Sequence, residues 1–388
     1  MRMVRRAGTW ASGLGAAVAA AALILAAPAA GGVTNIPTPN PGATNLLGGL
    51  VAFSPTDIWG VGSASSTSYT GCHGRTLTIH SSGSAFTEVP ETPQATPMCA
   101  SVNGVAGLSA KDIWAVGSTN NGRDTFVRHW NGAVWTGDKA ATIPVPPSGG
   151  RAQRSTGLNG VAALGAQDVW AVGRAQFPDF GRRSLIEHYT GTWQLVPGPP
   201  DTGGVLNGIS ALGANDLWAV GAAGAKTLVT RWNGTTWATV PSPNTNVFNT
   251  LRGVSARAVD DVWAVGDAIK TQSDGVSVSR TLIEHWNGSA WSVVSSPNMG
   301  TSHNFLTGVA ARGPGDAFAV GYYVDASGDI PVQRTLWLRW NGVSWRTVPS
   351  PNLGPSDNSL LGVIAPPGTS DAWAWGKAGS TLAQKFTP

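Results

Sequence analysis

Beyond its first thirty residues, this chain of 388 has no apolar run near the roughly 20 residues a membrane-spanning helix needs, so no membrane span is expected. Charge is scarce too. Only 12% of residues are charged, and once Arg2, Arg5 and Arg6 of the leader are set aside, 22 basic residues face 21 acidic ones. A chain this close to neutral, without a basic run, offers no electrostatic footprint for nucleic acid, and none is expected as a partner. Cysteine is limited to Cys72 and Cys99. No segment carries the apolar period of an amphipathic helix.

The beginning of the chain differs from the rest. "MRMVRR" is a basic start, "GLGAAVAAAALILAA" is an apolar run short for a membrane span, and "APAAGG" offers small residues for cleavage after Ala29 or Ala30. That order is a secretory signal peptide over residues 1–30, and it predicts a secreted, soluble product. In an oxidising compartment Cys72 and Cys99 are expected to pair as a disulfide. A metal or catalytic role for them has only His73 in its support.

What is abundant is glycine (51), proline (26) and tryptophan (18). With 42% hydrophobic residues, this is turn-rich β structure and not disorder. The hexamer "DVWAVG" at 168 and 261 has near-copies at 57, 112, 216, 316 and 371. The aspartates are therefore 55, 56, 48, 45, 55 and 55 residues apart, a period that indicates a propeller or a similar array. Around each hexamer the unit reads as four short strands. A tight one such as "LRGVSA" comes first, then the hexamer, then a segment such as "TLIEHW", then one opened by tryptophan and closed by a Pro-Ser-Pro-Asn run. Asn-Gly pairs at 131, 233, 287 and 341 predict type I′ hairpins between the last two.

The fold class expected is all-β, a seven-bladed β-propeller of four-stranded blades, with an open β-solenoid as the runner-up. The blades fall at approximately 45–101, 102–154, 155–203, 204–248, 249–303, 304–358 and 359–388 of a single domain, 31–388. The last unit stops short of a fourth strand, while "GGVTNIPTPN" before the first resembles the missing one. Residues 33–44 are thus predicted to close the ring, with 33–40 as the outer strand of the last blade.

The recurrent residues read as construction. Asp57, Asp112, Asp168, Asp216, Asp261, Asp316 and Asp371 would each accept backbone N–H bonds in the turn between the first two strands. A group needed once for catalysis has no reason to recur in every blade. Of seventeen tryptophans after the leader, six lie in the hexamer, four before Asn-Gly and five at the start of the fourth strand, where they would pack between blades. His129, His188 and His285 share one repeat position, which Arg231 and Arg339 take elsewhere, so no shared metal site is expected. His80 is expected to start a divergent turn, and Glu187 and Glu284 to pair with neighbouring basic groups.

On "DVWAVG" and the "HWNGSAW" hairpin, the units resemble exported bacterial β-propeller repeats, broadly of the kelch and Asp-box kind, over nearly the whole chain after the leader. The resemblance implies the fold and says nothing of activity. The strict Ser-x-Asp-x-Gly-x-x-Trp hairpin is absent. No arginine–tyrosine–acid cluster of the sialidase type can be assembled, and the paired cysteines would leave no thiol for a copper-radical site.

Variation concentrates in the connections between second and third strands, which share a face with the blade-to-blade connections. Candidate ligand-binding residues there are Tyr69, His73, Phe177, Asp179, Phe180, Arg182, Arg183, His303, Tyr322, Tyr323, Asp325 and Asp329. "YYVDASGD" offers Asp325 and Asp329 to calcium without a full ligand set, so no metal and no cofactor is assigned. The expected function is a non-catalytic, monomeric binding or scaffold protein engaging a protein or cell-envelope polysaccharide. A lectin-like propeller is the alternative, and a glycosidase or lyase comes after it.

Overall fold

A computed structural model describes residues 31–65, 74–90, 100–119, 122–138, 140, 155–177, 181–199, 203–273 and 275–388. Among them twenty-eight strands form seven separate four-stranded antiparallel sheets, and no helix is present. In six blades the four strands follow chain order outward; in blade 5 they are Phe248–Ala258, Asp261–Thr271, Ser277–Trp286 and Trp291–Val293. The chain is a seven-bladed β-propeller.

Closure is made as the sequence predicts. The last blade takes its outer strand, Gly32–Ile36, from the start of the chain, with Val33 opposite Phe386 and Ile36 opposite Ala383. Its continuation repeats a device of other blades. Asn40 Oδ1 accepts the Thr381 N–H at 3.0 Å, as Asn244, Asn298 and Asn352 accept those of Thr227, Thr281 and Thr335. The Pro37 carbonyl then accepts a bond from Phe86 N–H of blade 1 (3.0 Å), so the segment joins the last blade to the first.

The inner strands explain their own glycines. Each strand bulges by one residue before a glycine, and in blades 1 to 6 a Cβ on that glycine would meet the next blade, whereas on Gly362 of blade 7 it would strike Trp375 of the same blade. At Gly308 it would lie 2.7 Å from Gly362 Cα, at Gly253 3.0 Å from Gly308 Cα. Gly308→Ala is accordingly expected to cost about 1–3 kcal/mol through overpacking, read as a lower urea midpoint at unchanged slope. The bulged residue itself reaches sideways. Asn103, Asn159 and Asn207 donate Nδ2–H to the Leu158, Leu206 and Leu251 carbonyls of the following blade at 2.8–2.9 Å, and Thr307 Oγ1 does so to Leu360.

Between blades the tryptophans interlock. The hexamer rings Trp114, Trp170, Trp218 and Trp263 meet the outer-strand rings Trp193, Trp237, Trp291 and Trp345 of the next blade edge-on, at 5.2–5.8 Å between centroids. Trp373 and Phe86 make the same contact across the closure at 5.8 Å. Since the outer-strand rings are at most 8% exposed, they offer no open stacking face for a sugar.

Three expectations need correction. The Asn-Gly turns are four-residue loops between paired tryptophans, not two-residue type I′ hairpins. Asn131 Oδ1 accepts the N–H groups of Ala133 and Val134 at 3.0 Å, and only the glycine takes positive φ (94° at Gly132), so the asparagine side chain sets the turn. The turns between first and second strands are not uniform either. Blade 7 replaces a two-residue turn with residues 365–371, and beside it Ala311, Arg312 and Ala365–Ser370 line an open cavity of about 720 Å³. Finally, Glu284 does not pair with a basic group. It is fully buried, and neither carboxyl oxygen has a hydrogen-bond partner.

Candidate functional site

The propeller has two faces, and they differ chemically. One carries the turns between first and second strands together with the Asn-Gly loops. Here the register sets each hexamer tryptophan opposite the last polar residue of the third strand: Trp114 opposite His129, Trp170 opposite His188, Trp218 opposite Arg231. In blades 1 to 3 the aspartate two residues before the tryptophan holds both side chains; in blades 4 and 5 it holds only the basic one. Asp168 Oδ1 accepts Trp170 Nε1–H at 3.0 Å and lies 2.8 Å from His188 Nε2, while the imidazole stacks on the indole at 3.8 Å. Against an acceptor-only carboxylate, Nε2 is the protonated ring nitrogen.

The repeat aspartates thus bond side chains instead of the turn's backbone N–H groups. A tight turn leaves the carboxylate free to reach the neighbouring strand, where a basic side chain stands in register. His80 belongs to the same pattern, 2.9 Å from Asp57 and 4.6 Å over Trp59, and starts no divergent turn. Asp216 takes Arg231 through two bonds of 2.8 Å, which raises the guanidinium pKa. Asp371 takes Lys385 at 2.8 Å. Every such acid is engaged, and no cluster of three or more metal-ligating side chains occurs among the described residues.

The other face carries the connections between second and third strands and those from blade to blade. Among the described residues, five of its side chains are exposed large hydrophobics, on blades 4 to 6: Val247 (58%), Phe248 (51%), Val276 (53%), Ile330 (77%) and Leu353 (44%). The opposite face presents Leu108, Val259 and Val343 singly. Among the described residues no exposed large hydrophobic is a tryptophan.

Between blades 5 and 6 this face holds a polar–aromatic group. Arg252 Nε donates to Asp267 Oδ1 at 2.8 Å, with Asp267 5% exposed. The guanidinium carbon lies 6.0 Å over the Phe305 ring, and Phe305 stacks on Tyr322 at 4.9 Å. Burial pushes the Tyr322 hydroxyl pKa up, Arg252 pulls it partly back, and Asp267 adds to the rise. His303 lies parallel to Phe305 at 6.0 Å, and its Nδ1 accepts Ser279 N–H at 3.1 Å.

Of the sequence candidates, the structure brings His303 and Tyr322 together through Phe305. Tyr323 turns toward the apolar core between blades 5 and 6. Asp325 caps its own loop, accepting from Ser327 N–H (3.1 Å) and Oγ–H (2.7 Å), which holds its pKa below the ordinary value. Asp329 stands exposed beside it, without a hydrogen bond to that loop among the described residues. Arg182 and Arg183 stand exposed on blade 3, apart from this group. Tyr69, His73, Cys72, Cys99, Asp179 and Phe180 lie outside the described residues, as does the side chain of Phe177.

Sequence reasoning missed Arg252, Asp267 and Phe305. The signal was present: "LNG" in two blades, "VNG" in a third and "LTG" in another become "LRG" at 251–253. A charged residue had replaced a small amide at a fixed place in the repeat.

No known family profile matches this chain, and no curated protein does. Solved structures do. YCF48 from Cyanidioschyzon merolae is 13% identical and superposes with a TM-score of 0.56, over 92% of this chain and 99% of that one. YCF48 bound to D1 peptide is 12% identical (TM-score 0.51, 92% and 97% covered). The WD40 repeats of RRP9 are 11% identical (TM-score 0.55, 92% and 97% covered). At these identities the likeness is one of fold: each is a ring of β-sheet blades spanning nearly the whole of both chains.

Proposed function

We propose that this chain is an exported propeller that binds a protein partner through the face carrying its variable connections. The observation that supports this best is that five of the nine exposed large hydrophobics among the described residues, Val247, Phe248, Val276, Ile330 and Leu353, lie on that face. Solvent-exposed apolar groups beside a polar rim suit a protein surface. A sugar site needs flat aromatic faces open to solvent; the outer-strand tryptophans that would supply them are buried between blades, and no tryptophan among the described residues is fully exposed. Peptide binding by one structural neighbour, YCF48 with D1 peptide, is consistent with the reading. Export rests on the basic, apolar and small-residue order of residues 1–30.

The test is binding of the protein to a peptide array and, in parallel, to a glycan array and insoluble wall polysaccharides. Peptide binding that falls at least about 10-fold in Phe248→Ser/Ile330→Ser, two exposed positions, is the expected result. Binding to glycans without peptides would sink the proposal in favour of a lectin.

A further inference from the structure

We infer that Arg252, held by Asp267 and bordered by Phe305, is an anion subsite that receives an acidic residue of a bound peptide; this rests on the protein-binding reading above. The first ground is what Arg252 gives up. At the bulge of the inner strand, Asn103, Asn159, Asn207 and Thr307 each bond the next blade's leucine carbonyl. Arg252 occupies the same bulge and bonds Asp267 of its own blade instead, so Leu306 receives no such bond from it. Gly48 and Leu361, at the bulges of blades 1 and 7, have no side-chain donor to offer; Arg252 alone among the bulge residues has donors and turns them away from the next blade, which points to another purpose.

The second ground is geometry. Asp267 engages Nε alone, and among the described residues the two terminal nitrogens of Arg252 have no hydrogen bond. Its side chain is 41% exposed, while that of Asp267 is 7% exposed. A buried acid thus fixes the stem of the guanidinium and leaves its fork, the part that grips carboxylates through two parallel bonds, turned to solvent. The places equivalent to Asp267 hold Ser63 and Ser118 in blades 1 and 2, so no architectural need calls for an acid there.

The surroundings fit a peptide more than an acidic polysaccharide. Lys270 and Arg280 add positive charge on blade 5, and on blade 6 Arg334, opposite Tyr323, is close enough to Asp325 to lower its pKa. Phe305 gives its face to Tyr322, which leaves no open platform for a sugar ring. Phe248 lies four residues before Arg252 on the same strand, about 13 Å along it, an exposed apolar group within reach of the same extended peptide. A peptide with a hydrophobic residue near an Asp, a Glu or its own terminal carboxylate matches that pairing.

The decisive variant is Arg252→Asn/Asp267→Ser, which writes into blade 5 the pair that blade 2 carries as Asn103 and Ser118. Asn at the bulge can bond Leu306, and no buried acid is left alone, so the melting temperature is expected to hold or rise. The probes are 12-residue peptides presented with Asp/Glu or with the matching Asn/Gln, and with free or amidated C-termini. Polygalacturonate runs alongside as the non-peptide anion. Wild-type protein is expected to prefer the acidic forms by about 10-fold or more, and the double variant by less than 2-fold. The amidated set tells a terminal carboxylate from a side chain. Peptide binding without acidic preference, or a preference that survives in the double variant, overturns this inference and leaves the protein-binding function standing. Absence of all peptide binding, with or without capture of polygalacturonate, overturns both.

Discussion

Deleting residues 31–40 is expected to lower the melting temperature by about 5–10 °C and to make the protein self-associate. Gly32–Ile36 supplies the whole outer strand of the last blade. Losing five residues of ladder, with Val33 and its contact on the core around Phe386, removes about 5 kcal/mol at roughly 1 kcal/mol per hydrogen bond plus the buried apolar area. For a domain this size each kcal/mol moves the melt by about 1–2 °C. The further effect is topological. Thr381–Thr387 becomes an unpaired edge, and the Pro37 bridge to Phe86 of blade 1 disappears with the strand. A synthetic peptide of residues 31–40 added in trans should restore the melt by strand addition. A deletion that melted unchanged would mean that the ring is held by its inner strands alone.

That closure could be expected from the sequence because it depends on pattern alone. The hexamer period counts the blades, the last unit lacks a strand, and "PTPN" at 37–40 repeats the "PSPN" that ends others. The candidate site was harder to read because it depends on register and on a bulge. That Asp168 would meet His188 follows only when Trp170 and His188 are set opposite each other, twenty residues of sequence apart from the acid. That Arg252 stands in the interblade row follows only from the extra residue between Leu251 and Gly253, and that it leaves the row follows only from the register that brings Asp267 within its reach. Loop variability pointed to the same face as the Arg252 group and included its neighbours Tyr322 and His303. It passed over Phe305 and Asp267, which lie inside strands where variation looks like packing.

Glu284 carries the second large effect, on how stability depends on pH. It lies in the third strand of blade 5, facing blade 4, at a place where blade 2 has Arg128, blade 4 Thr230 and blade 7 Gln384. Gln384 is satisfied there by Trp337 Nε1 (2.8 Å) and Asn35 Oδ1 (2.9 Å). Glu284 is not satisfied, and burial pushes its carboxyl from 4.5 up to about 8, the nearby Ser242 hydroxyl offsetting only part of the rise. Below pH 4.5 both folded and unfolded chains hold the proton, and the residue costs nothing through titration. As pH climbs from 4.5 through 8, the unfolded chain releases the proton first, so stability falls by up to about 1.4 kcal/mol per unit, to a ceiling near ~5 kcal/mol. Glu284→Gln, which borrows the side chain of blade 7, is expected to melt several degrees above wild type at pH 8.5 and within a degree or two of it at pH 4.5. Thermal melts of both proteins across that range give the comparison. Two curves running parallel at every pH would show the carboxyl already ionised and solvated, and the gap between blades 4 and 5 wetter than the structure has it.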